Sequence, residues 1–409
     1  MSLDLKKTIV QISKLGTDDT SNEFEKRISS TYKLFELANS DCLKLLRKLN
    51  ETNSTKKARF SFAIPETDTF KPDHLIDPLK DFSIPHIAIG TDGSQINPSS
   101  HEFTSACLIN IGFVGIPYFQ GNIPVTLSSE PIVYNSLDDI SSRAHDEKIL
   151  DDELISYERT LKEIEELVRL GKKYSKYKLP LIALLDGTLI HWHIAKFPAS
   201  FLAEFIDRFS CAAHELKELG IPLASFISNS RSNDLINMLR IFKCPYDFVD
   251  CKKYCSGVLS KDFPCNPTLD YAPVMDRKIV ERLFSCKNAS HGARTILFKS
   301  NNDVLNFYPD DLKVLFFYMN TGTEVARVEI PSYVAKDENM LSLLHNVLSL
   351  QCKVGFGYPV VLSEAHLEAV VNKNDRQVFY DLVKTHMLKN TKTPVKISTK
   401  ELRKRISFV

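Results

Sequence analysis

One short pattern occurs twice in this chain and constrains its fold more than any other feature. Ile87-Ala88-Ile89 runs into Asp92-Gly93-Ser94, and Leu181-Ile182-Ala183-Leu184-Leu185 runs into Asp186-Gly187-Thr188. An apolar run too short for a helix and ended by glycine reads as a strand buried on both faces. Its aspartate then stands where the strand leaves the core. Asp-Gly alone is a common turn dipeptide, but a plain turn does not require the same apolar lead-in twice. Two such strands side by side would bring two carboxylates to one sheet edge, close enough to share divalent metal ions roughly 3.5 to 4 Å apart.

A chain of 409 residues has room for two or three domains, or for one large elaborated domain with a sizeable core. With 43% hydrophobic and 25% charged residues it has the composition of an ordinary globular protein. No apolar run approaches the ~18 residues of a membrane span, and Met1 to Val10 carries Asp4, Lys6 and Lys7 in place of an apolar signal segment. The expectation is a cytoplasmic protein with no membrane association. A net charge of +1 leaves nucleic-acid binding to a local patch. The tail from Lys384 to Arg405 is one, with Lys384 and Lys389 as candidate DNA contacts and a solvated basic terminus as the alternative.

Nine cysteines without a secretory signal point to thiols or metal ligands rather than disulfides. Cys244, Cys251, Cys255 and Cys265 cluster with spacing C-x6-C-x3-C-x9-C, which suggests a zinc or iron-sulfur site but matches no standard zinc ribbon. Partly buried free thiols are the competing reading.

In chain order, residues 1–80 read as a helical arm, with Leu34, Phe35, Leu43, Leu46 and Leu49 among its apolar positions. Residues 81–409 read as the main domain, with the cysteines in an insertion at 244–265. The Asp92 strand is followed by a β-rich stretch from Cys107, and then by a helix over 151–171 with Gly171 as its C-cap. On that helix Glu163 and Glu165 flank the apolar stripe, where a carboxylate could reach toward Asp92 and Asp186, and Glu166 points away. Strand with Asp, strands, helix with Glu, strand with Asp is the order of an RNase H-like fold, a mixed α/β sheet flanked by helices.

Leu223 to Ile227 is another strand, leading through Ser228-Asn229-Ser230-Arg231-Ser232 into a helix over 233–240. A polar turn at a helix N-terminus can hold phosphate, with Arg231 as a bidentate contact, and a capped helix with a surface arginine accounts for it equally. Val314 to Tyr318 and Glu324 to Ile330 form a predicted hairpin, and Leu341 to Gln351 a helix. Gly355-Phe356-Gly357-Tyr358-Pro359 is a rigid turn into Val360-Val361-Leu362. Ser363 then marks a helix start that puts His366 in the first turn.

Thr91-Asp92-Gly93-Ser94-Gln95, Leu184 to Ile190, Ile227 to Ser232, and Gly357-Tyr358-Pro359 through Glu364-Ala365-His366 together resemble the NurA nuclease family over residues 86 to 385. The resemblance implies an RNase H-like, Mn²⁺- or Mg²⁺-dependent deoxyribonuclease that processes DNA ends in double-strand break resection. It implies a homodimer partnered by a HerA-like hexameric ATPase. Carried onto this chain, it makes Asp92 and Asp186 metal ligands, His366 a further site residue, and Glu163 the favoured helical ligand, with Glu165 or Glu166 as alternatives. The rival reading is a non-catalytic DNA-binding or motor-adaptor subunit on the same fold.

Overall fold

The computed structural model describes residues 4–13, 18–66, 71–80, 82–98, 105–119, 121–141, 151–259, 262–265 and 274–390. It begins with helices α1 (Leu5–Ile12), α2 (Asp18–Ser40) and α3 (Cys42–Thr55) and two short strands, β1 (Ala63–Pro65) and β2 (Leu75–Ile76). Then come long strands β3 (His86–Ile96), β4 (Cys107–Tyr118) and β5 (Thr126–Tyr134), helix α4 (Asp151–Ser175), strand β6 (Leu181–Asp186), helix α5 (Ala199–Glu218) and strand β7 (Leu223–Ile227). Helices α6 (Asp234–Lys243), α7 (Cys251–Tyr254) and α8 (Asp276–Cys286) lead to strands β8 (Arg294–Thr295), β9 (Phe298–Ser300), β10 (Val314–Asn320) and β11 (Val325–Pro331). The chain closes with α9 (Ser332–Lys336), α10 (Glu338–Val354), α11 (Val360–Ala369) and α12 (Lys373–Asn390). No described helix is long and apolar enough to cross a membrane.

These elements form two compact units, the first of residues 1–77, 228–303 and 315–327, the second of 78–227, 304–314 and 328–409. The expected N-terminal arm therefore does not stand by itself. Phe35, Leu45 and Leu49 from its helices share a core with Leu239, Phe242, Ile279 and Phe316, so residues 1–77 fold with the cysteine-bearing segment. A 3.6-residue stripe shows that a helix buries a face, but not against what.

In the second unit the strand order is β5-β4-β3-β6-β7. β3, β4 and β5 are antiparallel, whereas β6 runs parallel to β3 and β7 parallel to β6. The fold is thus a mixed α/β sheet with helices against it. The register pairs Ile87 with Leu181 through Thr91 with Leu185, so the next residue on each strand is an aspartate.

Strand periodicity sorts β3 between two helices. Gly90 and Ser94 meet α11, where an added Cβ at Gly90 would press on Val361 and Ser94 Oγ donates to the Ala369 carbonyl. Thr91 and Gly93 meet α4, where Thr91 Oγ1 donates to the Glu163 carbonyl at 3.0 Å. Burial of Leu161, Ile164 and Leu167 on α4 and of Val361, Leu362 and Ala365 on α11 supplies the apolar area that holds the layers together.

Three local expectations change. α4 runs through Gly171 to Ser175, and that glycine is a point of close approach, since an added Cβ would stand 2.9 Å from Ile221 Cδ1. Val360-Val361-Leu362 is the first turn of α11, with Pro359 as its N-cap, so the helix starts ahead of Ser363. His366 accordingly lies in the last turn of α11, not the first.

Candidate active site

The site of interest lies wholly in the second unit, where β6 ends. The two Asp-Gly pairs, alike in sequence, do different work. Gly187 adopts φ +93 and makes a true turn after Asp186. β3 instead continues through Asp92 and Gly93 to Ile96, with Asp92 opposite Gly112 of β4. A Cβ at Gly93 would lie 2.5 Å from Glu163 Oε1, so this glycine is what lets α4 bring Glu163 down onto the strand. Gly112 clears the way for α11 in the same manner, since a Cβ there would run into the backbone of Ala365 and Ala369.

The result is convergence of Asp92, Glu163, Asp186 and His366. His366 Nδ1–H donates to Asp92 Oδ2 at 2.7 Å. The second oxygen of Asp92 takes the Gly93 amide at 2.8 Å. Glu163 is 12% exposed, with Arg159 Nε at 3.3 Å as its counter-charge. Its pKa is pushed up to about 8, by desolvation first and then by the charges of Asp92 and Asp186, against the pull of Arg159. Asp186 keeps solvent access at the strand end, yet the protein around its carboxylate and the nearby Asp92 charge hold its pKa above the usual value.

Glu163 is thus the helical acid at the site. Glu165 instead pairs with Arg208 at 2.7 Å and Lys162 at 2.8 Å, and Glu166 with Arg169. Those pairs account for two of the three glutamates near this point of the helix.

Two contributors escaped the reading of the sequence. Tyr358 donates its hydroxyl to Asp186, while its ring packs edge-on against Phe226 at 5.3 Å. Glu329, 2% exposed on β11, accepts from Thr188 Oγ1 at 2.7 Å and the Leu189 amide at 2.8 Å, pinning the turn that follows Asp186. The Gly-Tyr-Pro turn was a visible signal for the first. A lone Glu within a strand gave none for the second.

Three carboxylates, two of them with a pKa raised in part by the charge of Asp92 and with one arginine at ion-pair range, are a donor set short of positive charge. Hard oxygen donors of this kind suit Mn²⁺ or Mg²⁺. As they stand, no three His, Cys, Asp or Glu side chains among the described residues are arranged to hold a metal ion.

The remaining candidates lie elsewhere. Cys244, Cys251, Cys255 and Cys265 do gather in the first unit, lining one small cavity, and three are buried. Burial and the neighbouring thiols raise the pKa of Cys244 and Cys255. They are free cysteines. Arg231 is exposed in the same unit, ahead of α6. The phosphate reading of that turn gives way to the capped helix, since the α6 N-terminus is taken by the Asp276 carboxylate, which accepts from the amides of Leu235 and Ile236 at 3.0 and 2.9 Å. Asn229 and Ser228 bond to Glu324. Lys384 lies on α12, and the Lys389 side chain falls outside the described residues.

Comparison with known proteins places residues 86–371 in a NurA domain. Among solved structures, a NurA crystal structure with dAMP and manganese bound is 12% identical, covering 88% of this chain and 97% of that one at a TM-score of 0.35. A NurA structure with manganese has the same identity and TM-score, covering 85% and 98%. No curated protein matches.

Proposed function

This chain belongs to the NurA family, and from that premise we propose that it is a Mn²⁺- or Mg²⁺-dependent deoxyribonuclease that hydrolyses phosphodiester bonds at DNA ends. The single observation that carries the reading is the meeting of Asp92, Glu163 and Asp186, from two strands and a helix, with the Glu163 pKa driven up to about 8. A purely adaptor role gives no reason to hold three mutually repelling acids together.

Asp92, Glu163 and Asp186 would hold the metal, which when bound lowers the pKa of water and offsets charge on the reacting phosphate. His366 presents a ring 65% exposed and fixed through Nδ1 to Asp92, so Nε2 is the atom that holds or passes a proton at the reacting phosphate. Tyr358 orients Asp186 by its hydrogen bond, and Glu329 holds the turn beyond it rigid. Arg159 keeps Glu163 partly neutralised.

The finer reading follows the family resemblance: DNA-end resection as a homodimer fed by a HerA-like hexameric ATPase, with Lys384 and Lys389 on the DNA backbone. End-labelled linear and closed circular DNA, each with and without Mn²⁺, tests the activity. Degradation of linear DNA only with the metal is expected. Binding without cleavage under every metal condition would return the chain to the adaptor class.

A further inference from the structure

The turn between α10 and α11 has an aromatic ring where chain sterics call for glycine. α10 ends at Val354 with Gly355 as its C-cap, and the Gly357 amide donates back to the Cys352 carbonyl at 2.7 Å. That bond, from the second residue past the cap to the third from the helix end, defines a Schellman ending. The residue between must be left-handed, a position that belongs to glycine and sometimes asparagine because a Cβ is crowded there. Here it is Phe356, with φ +54.

The flanking glycines serve needs of their own. A Cβ on Gly355 would run into the Tyr358 carbonyl, and Gly357 has φ +105. The Phe356 ring repays nothing within the fold, for it is 91% exposed. A strained backbone that carries an unburied aromatic calls for a functional reason.

The location suggests one. Phe356 is two residues from Tyr358, whose hydroxyl meets Asp186, so their Cα atoms stand no more than about 7 Å apart. Pro359 and α11 follow directly and deliver His366 to Asp92. Beside a group of carboxylates the neutral part of a nucleotide is its base, and an exposed ring offers that base a face to stack on.

We propose that Phe356 is a base-stacking residue that seats a nucleobase next to the reacting phosphate and so favours unpaired DNA ends. The proposal rests on the nuclease reading of the adjacent acids and names how that site recognises its substrate.

The test uses the full chain as wild type, Phe356→Asn and Phe356→Trp, with single-stranded DNA carrying 2-aminopurine at its end and Ca²⁺ in place of Mn²⁺. Asparagine tolerates the left-handed backbone, so thermal stability should hold or rise. Binding of the Asn variant should weaken by roughly tenfold or more with the fluorescence quench lost, and tryptophan should restore both. With Mn²⁺ the same loss should appear in KM with kcat little changed, and an abasic end should erase the difference between variants.

Unchanged binding and KM in Phe356→Asn, in a protein that does cleave, would overturn the stacking role and leave the nuclease reading intact. A Phe356-dependent quench in a protein that never cleaves would do the reverse. Altered subunit association with an unaltered quench would overturn the proposal and make the ring a protein contact.

Discussion

Glu163 and Asp276 are two acids whose environments lift their pKa far above the carboxylate range, to about 8 and about 7, and the resemblance ends there. Asp276, fully buried in the first unit, is surrounded by donors. The Leu235 and Ile236 amides and the Tyr318 hydroxyl point at its two oxygens, the last at 2.7 Å, and Arg327 neutralises the neighbouring Asp234 at the same distance. It is a helix cap turned inward. Glu163 in the second unit faces two further acids, with one arginine at ion-pair range. A raised pKa therefore does not mark a functional site by itself. Unmet negative charge in a group that shares a solvent-reached strand end does.

The sharpest way to break this contrast is to neutralise each acid in turn. Glu163→Gln, like Asp92→Asn and Asp186→Asn, should cut Mn²⁺-dependent cleavage by about 1,000-fold or more, worth ~4 kcal/mol of barrier. Its melting temperature should hold or rise, because like charges are relieved. Asp276→Ala should behave oppositely. It strands two amides and a buried hydroxyl, so urea unfolding should show a loss of about 3 to 5 kcal/mol, with activity per folded molecule retained. Retained cleavage in Glu163→Gln would remove this acid from the chemistry.

The two acids also differ in how readily the sequence shows them. Asp92 and Asp186 were legible because their strands repeat a pattern that parallel pairing converts into neighbouring ends. Glu163 was narrowed to a helix face by its phase, but the choice over Glu165 and Glu166 depended on where Arg208 and Arg169 sit, which no local pattern encodes. Gly93 looked like the turn that Gly187 is, and proves to be clearance for a helix far along the chain. The sequence shows His366 on a helix but not in which turn, because Pro359 starts α11 a full turn ahead of Ser363. Asp276 and Glu329 gave no signal, since their partners come from 40 to 42 and 140 to 141 residues away. The four cysteines are the converse case. Close in sequence, they are also gathered in space, where they line one small cavity as free thiols.

The pH dependence of stability separates the acids further. Asp276 has a folded pKa raised to about 7 from its ordinary value of 3.8, so the native state holds its proton where the unfolded chain has lost it. Its contribution is complete below about pH 4 and is lost as the pH climbs through 7, amounting to up to ~4 kcal/mol. Between pH 5 and 8 the wild type should lose stability in urea titrations, and Asp276→Asn, which cannot ionise, should lose less. Equal slopes in both proteins would show that the Leu235 and Ile236 amides and the Tyr318 hydroxyl hold Asp276 ionised throughout.

The smallest effect tests what each acid is waiting for. A cation that binds only the folded protein stabilises it by about 2.7 kcal/mol at a hundredfold excess over its dissociation constant. Mn²⁺ should therefore raise the wild-type melting temperature by a few degrees. Asp276→Asn should respond in full, because that carboxylate has its donors within the fold and none of its charge is left for an ion. Asp186→Asn and Glu163→Gln should respond weakly or not at all, because each removes both a ligand and part of the repulsion that the ion would relieve. A Mn²⁺ shift of equal size in all four proteins would locate the ion away from Asp92, Glu163 and Asp186, and would leave their crowding without a cation to explain it.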